Sequence, residues 1–450
     1  MYDTLFRHPF MSAAGLATLE ASEVVAAMRE VELALAAEQE ACGVLPAGTA
    51  AALTAALPLE AFDLTALAAE VENGGNAAIP FVKQAKARLP ESLRRHFHRG
   101  ATSQDIVDSA LMLLLRPRLV AIREHLARTR RAACALMRDH RATPMIGRTL
   151  MQQALPITFG AKVAQWAWGL EGADARLAAV IDGGLYVQFG GAVGVHSGLD
   201  DRGLEIMAGL AARLGLAAPL LPWHTDRQPL LALMGALDAA AVAAEKVALD
   251  IALLCQSEVA ELSEPAAEGV GGSSSMPHKR NPVACARIRA AARQVHAAHA
   301  TVVNAGAQPL ERGLGEWHAE WAPLLDGVLL VEGALGSLAP LLEGLEVHVE
   351  AMARNLRLSG GAVLAEPAAR LLGEALPSAT AQRIAREAGE TARREQRDYA
   401  EVVLTQPEVA AAVEDAALDA AALRTALTID LYIGSSEAQV TRVLMRLDPS

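Results

Sequence analysis

Aromatic residues are scarce in this chain: Phe, Trp and Tyr together supply 4% of its 450 residues. Aromatic and β-branched residues mark strands, whereas Ala and Leu, abundant here, lead the helix scale. Strand-like alternation is correspondingly hard to find. Cysteine is sparse as well. Cys42, Cys134, Cys255 and Cys285 are scattered, with no CxxC and no Cys/His pair at metal spacing, which disfavours a disulfide framework and a zinc site. Positive charge is in deficit, with 40 Lys and Arg against 52 Asp and Glu and a net charge of −12. Nucleic acid and anionic membranes call for clustered positive charge, so neither is an expected partner. An anionic substrate requires cations gathered locally against the overall field. No run of about 18 uncharged apolar residues occurs, so no membrane span is expected. The opening MYDTLFRHPFMSAAG holds Arg7, His8 and Pro9 where an export signal needs an apolar run. The expectation is an acidic globular protein of the reducing cytoplasm.

What is present is helix-forming and core-forming. Hydrophobic residues make up 52% of the chain, which excludes disorder as the main state. The spacing predicts one helix from Leu230 to Leu262, with Leu233, Met234, Leu237, Ala241, Ala244, Val247, Ile251, Leu254, Cys255 and Val259 on the same face. Such a helix is roughly 50 Å long, which points to a long bundle. Further helices are expected over Ser22–Cys42, Ile106–His140, Pro156–Ile181, Pro282–Asn304 and Glu320–Asn355. Gly- and Pro-rich breaks fall at 182–203, 264–282 and 358–367. A coarse division follows: an N-terminal helical domain over 1–110, a central long-helix domain over 111–350 and a C-terminal helical domain over 351–450.

Three segments carry chemistry. Gly271–Pro282, GGSSSMPHKRNP, reads as a mobile loop that packs His278, Lys279, Arg280 and Asn281 behind three serines. It suits closure over an anion, or serves as a solvated linker between helices. His98–Asp105, HRGATSQD, precedes a helical run. Thr102, Ser103 and Asp105 are capping types, and capping alone is the expectation for Asp105. A helix N-terminus with two hydroxyls and His98 nearby also suits a carboxylate. Gly147–Pro156, GRTLMQQALP, reads as a loop-to-helix entry whose Arg148, Thr149, Gln152 and Gln153 bind carboxylates or satisfy backbone groups. Two other stretches read as structural. Gln188–Gly198, QFGGAVGVHSG, lacks GxGxxG spacing and is a tight connection in which His196 is structural. Glu316, Trp317, His318, Glu320 and Trp321 form a helix face with aromatic packing.

Taken together, these three segments resemble the active-site regions of the fumarase/aspartase superfamily, in the family's order and across nearly the whole chain. GSSSMPHKRNP resembles its signature loop. LFRHPFMS, NGGNAAIPFVK at 73–83, ERGLGEWHAEW at 311–321 and LYIGSSEAQVTRVL at 431–444 make the chain most similar to the superfamily's bacterial 3-carboxymuconate cycloisomerase branch. The resemblance implies an all-α, three-domain fumarase/aspartase-like protomer with a central long-helix bundle, forming a homotetramer whose active sites are shared between subunits. It implies a small-molecule tricarboxylate substrate, with no metal and no organic cofactor. Ser273 falls at the position of the catalytic base, and His98 matches a catalytic His of the adenylosuccinate lyase branch. Thr102, Ser103, Arg148, Thr149, Gln152, Lys279, Asn281 and Arg312 fall among the substrate-binding positions.

One departure from the family pattern matters. Where many of its lyases have THxQ, this chain has Thr149, Leu150, Met151 and Gln152, so Leu150 replaces the His. A lyase expelling an amine must protonate it. Lactone opening expels a carboxylate, whose pKa of about 4 lets it leave unprotonated. Leu150 therefore fits lactone chemistry and counts against an adenylosuccinate lyase-like C–N lyase, and it is expected to shape the pocket. A non-catalytic tetrameric scaffold is the other alternative, disfavoured by the presence of Ser273, Lys279 and Asn281.

Overall fold

The Ala- and Leu-rich stretches are helical in the computed structural model, which describes residues 3–7, 9–266, 276 and 279–448. The longest helices are Ser103–Asp139, Phe159–Gly183, Gln228–Leu254, Val283–Ala305 and Glu316–Glu343. Among the described residues, β-structure is confined to two two-stranded antiparallel sheets and isolated bridges. The fold is all-α, as expected. The chain forms two compact units: one of Met1–Ala127, Gly172–Glu245 and Ala286–Leu338, the other of Arg128–Glu171, Lys246–Cys285 and Ala339–Ser450.

In the first unit the apolar stripes face inward. Leu230, Leu233, Met234, Leu237, Ala241 and Ala244 are all buried, as their spacing requires. A fully buried leucine contributes about 1.5–3 kcal/mol. The Glu316–Glu343 helix is long and apolar enough to cross a membrane by length and composition, although no uncharged run was found in the sequence. Two thirds of its most apolar window is buried inside the fold (67%). Its internal carboxylates are paired, Asp326 with Arg7 at 3.0 Å and Glu332 with Arg118 at 3.1 Å. Those features are what a core helix needs.

The second unit departs from the periodicity in three places. The helix expected to reach Leu262 stops at Leu254. There the Glu261 N–H donates to the Leu254 carbonyl and Ala260 adopts a positive φ of 50°. Leu262–Ser263 then pairs with Glu346–Val347. That second strand interrupts the helix expected over Glu320–Asn355, which becomes Glu316–Glu343 and Val349–Arg357. Gly344 marks the break, because a Cβ on it would meet Pro265 Cβ at 2.7 Å. The third departure is the expected loop-to-helix entry at Gly147–Pro156. It is a hairpin of Pro144–Thr149 against Gln152–Thr158. Its turn is Leu150–Met151, at φ 48° and 65°. Thr158 Oγ1 accepts the Ala161 N–H at 3.1 Å, so the next helix begins at Phe159 and not at Pro156.

Candidate active site

In the first unit the candidate residues are built around the entry to the Ser103–Asp139 helix. Thr102 and Asp105 exchange bonds: the Thr102 N–H donates to Asp105 Oδ2 at 2.9 Å, and the Asp105 N–H donates to the Thr102 carbonyl at 3.0 Å. The Asp105 side chain thus supplies the N3 half of a capping box, while the Thr102 hydroxyl stays out of the cap. Capping is not all that Asp105 does. Its Oδ2 also accepts the Gly191 N–H at 2.9 Å, and its Oδ1 lies 2.7 Å from His224 Nε2. Asp105 is wholly buried and ties the turn to two distant segments. Ser103 opens the helix and is half-buried.

His98 precedes this turn in the left-handed region, at φ 60°, and Gly100 follows at φ 70°. Its Nδ1 lies 2.5 Å from Oε1 of the buried Glu32. Burial alone would lower the imidazole pKa. The Glu32 carboxylate overrides it and the net shift is upward.

Arg312 meets Thr102 directly, with Nη1 donating to Thr102 Oγ1 at 2.8 Å. Its guanidinium lies 5.8 Å from the centre of the Trp317 ring. Burial pulls its pKa down, against the pull of Asp105 and Asp108. The Trp317 indole donates to Asp108 Oδ1 at 2.9 Å, so this face does more than pack. Arg227 holds the other oxygen, with Nη1 donating to Asp108 Oδ2 at 2.8 Å, and also donates to both oxygens of Glu320. Arg227, Asp108 and Glu320 are all buried. Glu32, Asp108, His224, Arg227 and Glu320 were not singled out from the sequence as partners of this turn. The one local signal was charge on an otherwise apolar helical face. His196 is structural as expected, its Nε2 lying 3.0 Å from the Phe189 carbonyl.

The second unit holds the other candidates. Arg148 makes a two-pronged pair with Glu261, at 2.9 and 2.7 Å. Glu261 is wholly buried and also accepts from Asn355 Nδ2 at 2.8 Å. Gln153 donates to the Asn355 carbonyl at 3.1 Å. These bonds fix the hairpin base. Thr149 pairs with Gln152 across the exposed tip. Leu150 is 96% exposed and Met151 67% exposed, so within one chain the hairpin tip is open to solvent. Lys279 is exposed and Asn281 half-buried. Between them, Arg280 pairs with Glu346 at 3.0 Å. Glu264 accepts the N–H groups of Ala284 and Cys285, at 3.0 and 2.8 Å, and so caps the Val283–Ala305 helix. Ser273 and His278 lie outside the described residues.

The structure thus brings Thr102 to Arg312 in one unit and places Thr149, Gln152 and Arg148 on one hairpin in the other. A hydroxyl beside a guanidinium, with no carboxylate ion-paired to that guanidinium among the described residues, is a donor pair suited to a carboxylate.

A family model described as lyase matches residues 9–297. A 3-carboxy-cis,cis-muconate cycloisomerase of Bradyrhizobium diazoefficiens is 38% identical over 444 residues, 98% of this chain and 97% of its own length. A nitrosuccinate lyase of Streptomyces davaonensis is 39% identical over 432 residues, 93% of this chain and 90% of its own. The crystal structure of the 3-carboxy-cis,cis-muconate lactonizing enzyme from Pseudomonas putida matches with a TM-score of 0.89 at 34% identity, over 99% of each chain.

Proposed function

The chain belongs to the lyase family of the fumarase/aspartase superfamily, and we propose on that premise that it converts 3-carboxy-cis,cis-muconate to 4-carboxymuconolactone. One substrate carboxylate adds to a carbon of the conjugated diene. Negative charge builds on a second carboxylate, as an aci-carboxylate, and a proton then joins the neighbouring carbon. One C–O and one C–H bond form as one C=C π bond is lost, and the proton that joins carbon comes from solvent by way of the enzyme, so the reaction balances without a co-substrate, metal or organic cofactor.

Ser273 is assigned the proton transfer at carbon. Thr102, Ser103, Arg312, Lys279 and Asn281 are assigned to the substrate carboxylates, with Thr149 and Gln152 supplying donors from the hairpin tip. Donors aimed at developing charge contribute most to catalysis. His98, whose protonated form Glu32 favours, is assigned a place beside this turn, with its charge balanced by the Glu32 carboxylate. Arg148 is engaged by Glu261, so its assignment is to hold the hairpin. The working form is a cytoplasmic homotetramer in which different subunits lend loops to each site, and the exposed Leu150 tip then has another chain to meet. The observation that carries this reading is the Arg312–Thr102 pair, and the full-length relatives supply the particular substrate.

A second reading is elimination of nitrite from nitrosuccinate, favoured by the relative of that name. Nitrite, like a carboxylate, leaves without a proton, so Leu150 does not separate the two. Parallel assays do: loss of diene absorbance with 3-carboxymuconate, and nitrite release from nitrosuccinate. The lactonisation reading expects the first to exceed the second by orders of magnitude in kcat/KM, and the reverse order rejects it.

A further inference from the structure

We propose that the C-terminal helices carry an additional binding site, for a small organic anion with two acidic groups on an apolar frame. A cavity of about 570 Å³ opens there, lined by Arg354, Arg357, Arg393 and Arg397. All four belong to the second unit, and none of the residues assigned to the reaction lines the cavity. Two of the guanidiniums are paired: Arg357 with Asp430, and Arg397 with Glu395 at 3.3 Å. Among the described residues, Arg354 and Arg393 have no carboxylate partner. The acid in the lining, Asp398, caps the Tyr399–Leu404 helix, accepting the Glu401 N–H at 3.1 Å.

Helix ends account for only part of this charge. Arg354 and Arg357 occupy the last turn of Val349–Arg357, and Arg393 the last turn of Ser378–Glu395. A helix C-terminus carries about half a negative charge. The lining holds four arginines against one acid, Asp398, and the helix ends with Asp430 and Glu395 offset part of that charge, leaving Arg354 and Arg393 as the guanidiniums without a carboxylate of their own. In a chain with net charge −12, that concave positive rim is where an anion collects.

The floor defines the rest of the ligand. Leu364, Ala392 and Leu427 are buried beneath the rim, with Ile429 beside them. The polar groups at hand are already bonded, Tyr399 Oη donating to the Ala385 carbonyl at 2.9 Å and Gln396 Nε2 to the Arg393 carbonyl at 3.1 Å. A sugar or nucleoside would find few partners on that floor. An aromatic or short aliphatic frame with two carboxylates matches two unpaired guanidiniums above an apolar base.

The test is calorimetric titration of the full chain with benzene-1,3-dicarboxylate, using the Arg312→Ala variant so that the Thr102 site contributes little. The readout is binding, so it stands apart from the assigned reaction. The expected result is one molecule bound per chain, weakened at least tenfold by Arg354→Ala and by Arg393→Ala and unchanged by Arg394→Ala, which lies outside the lining. Benzoate should bind at least tenfold more weakly, and Arg354→Lys should recover part of the loss with unchanged melting temperature. Absence of binding, or affinity indifferent to Arg354 and Arg393, means that these arginines only complement helix ends and overturns the proposal. Inorganic phosphate binding as tightly as the dicarboxylate overturns the ligand class.

Discussion

Arg312 Nη1 donates to Thr102 Oγ1 at 2.8 Å although 210 residues separate them. The contact is held from behind. Trp317, under the guanidinium, is fixed by Asp108, and Asp108 is fixed by the buried Arg227. The helix entry at Thr102 is fixed independently, by Asp105 through Gly191 and His224. Two rigid frames therefore converge on one donor pair, the preorganisation that carboxylate recognition requires.

Replacing Arg312 tests that pair. A charge-assisted hydrogen bond contributes about 1.5–3 kcal/mol, so Arg312→Gln should lower kcat/KM for 3-carboxymuconate roughly 10- to 100-fold. Arg312→Lys should recover part of it, keeping the charge without the planar fork. Steady-state kinetics within twofold of the parent for Arg312→Gln would remove Arg312 from substrate binding.

Ser273 is assigned the proton at carbon, so Ser273→Ala should lower kcat by about 10²-fold or more while KM changes less. Activity within a few-fold of the parent passes the role to a neighbour, Ser274 or His278.

The buried ion group supports a stability prediction. Arg227→Met leaves Asp108 and Glu320 buried without their cation, a loss of about 3–5 kcal/mol. Arg213→Ala, which breaks the more exposed pair with Glu38, should cost less than about 1 kcal/mol. Urea unfolding of the two variants should show that order, and equal losses would mean that the buried group is not a keystone.

At the hairpin tip, Leu150 and Met151 both adopt the positive φ that a type I′ turn requires and that glycine or asparagine normally supplies. An L-residue there costs about 1–2 kcal/mol. Met151→Gly should therefore stabilise the protein by about 1 kcal/mol, seen as a raised Tm. Leu150→His should leave lactonisation no faster, because a carboxylate leaving group needs no proton from position 150. A clear rate gain in that variant would show that leaving-group protonation is limiting.

The His98–Glu32 pair predicts a pH dependence. Burial works to lower the His98 pKa, but Glu32 raises it above its unfolded value of about 6.5. A raised folded value means stability that is fully present below about pH 6.5 and lost as the pH rises through the higher folded value. Tm should therefore fall over that alkaline window in the parent, and Glu32→Gln should flatten the fall. Parallel curves for parent and variant would refute the coupling.

Composition and spacing by themselves determined that this chain is all-α. The face from Leu230 to Leu254 is legible because burial on a helix imposes steps of three and four, whatever lies opposite. The three active-site segments were legible for a different reason: runs such as GSSSMPHKRNP are long and specific as sequence. Periodicity is blind to chain reversal. Cys255, Val259 and Leu262 continue the apolar pattern past Leu254, yet the chain turns there and places Glu261 against Arg148. The hairpin at Pro144–Thr158 was hidden because its turn, Leu-Met, carries no turn residue. Its conformation is imposed by the paired strands and by the Arg148–Glu261–Asn355 bonds at its base. Likewise, only the tertiary structure decided that Asp105 does more than cap a helix and that Arg227 holds Asp108 and Glu320. Buried polar groups must find partners wherever the fold brings them, and partners 86 to 119 residues apart in sequence leave no local trace.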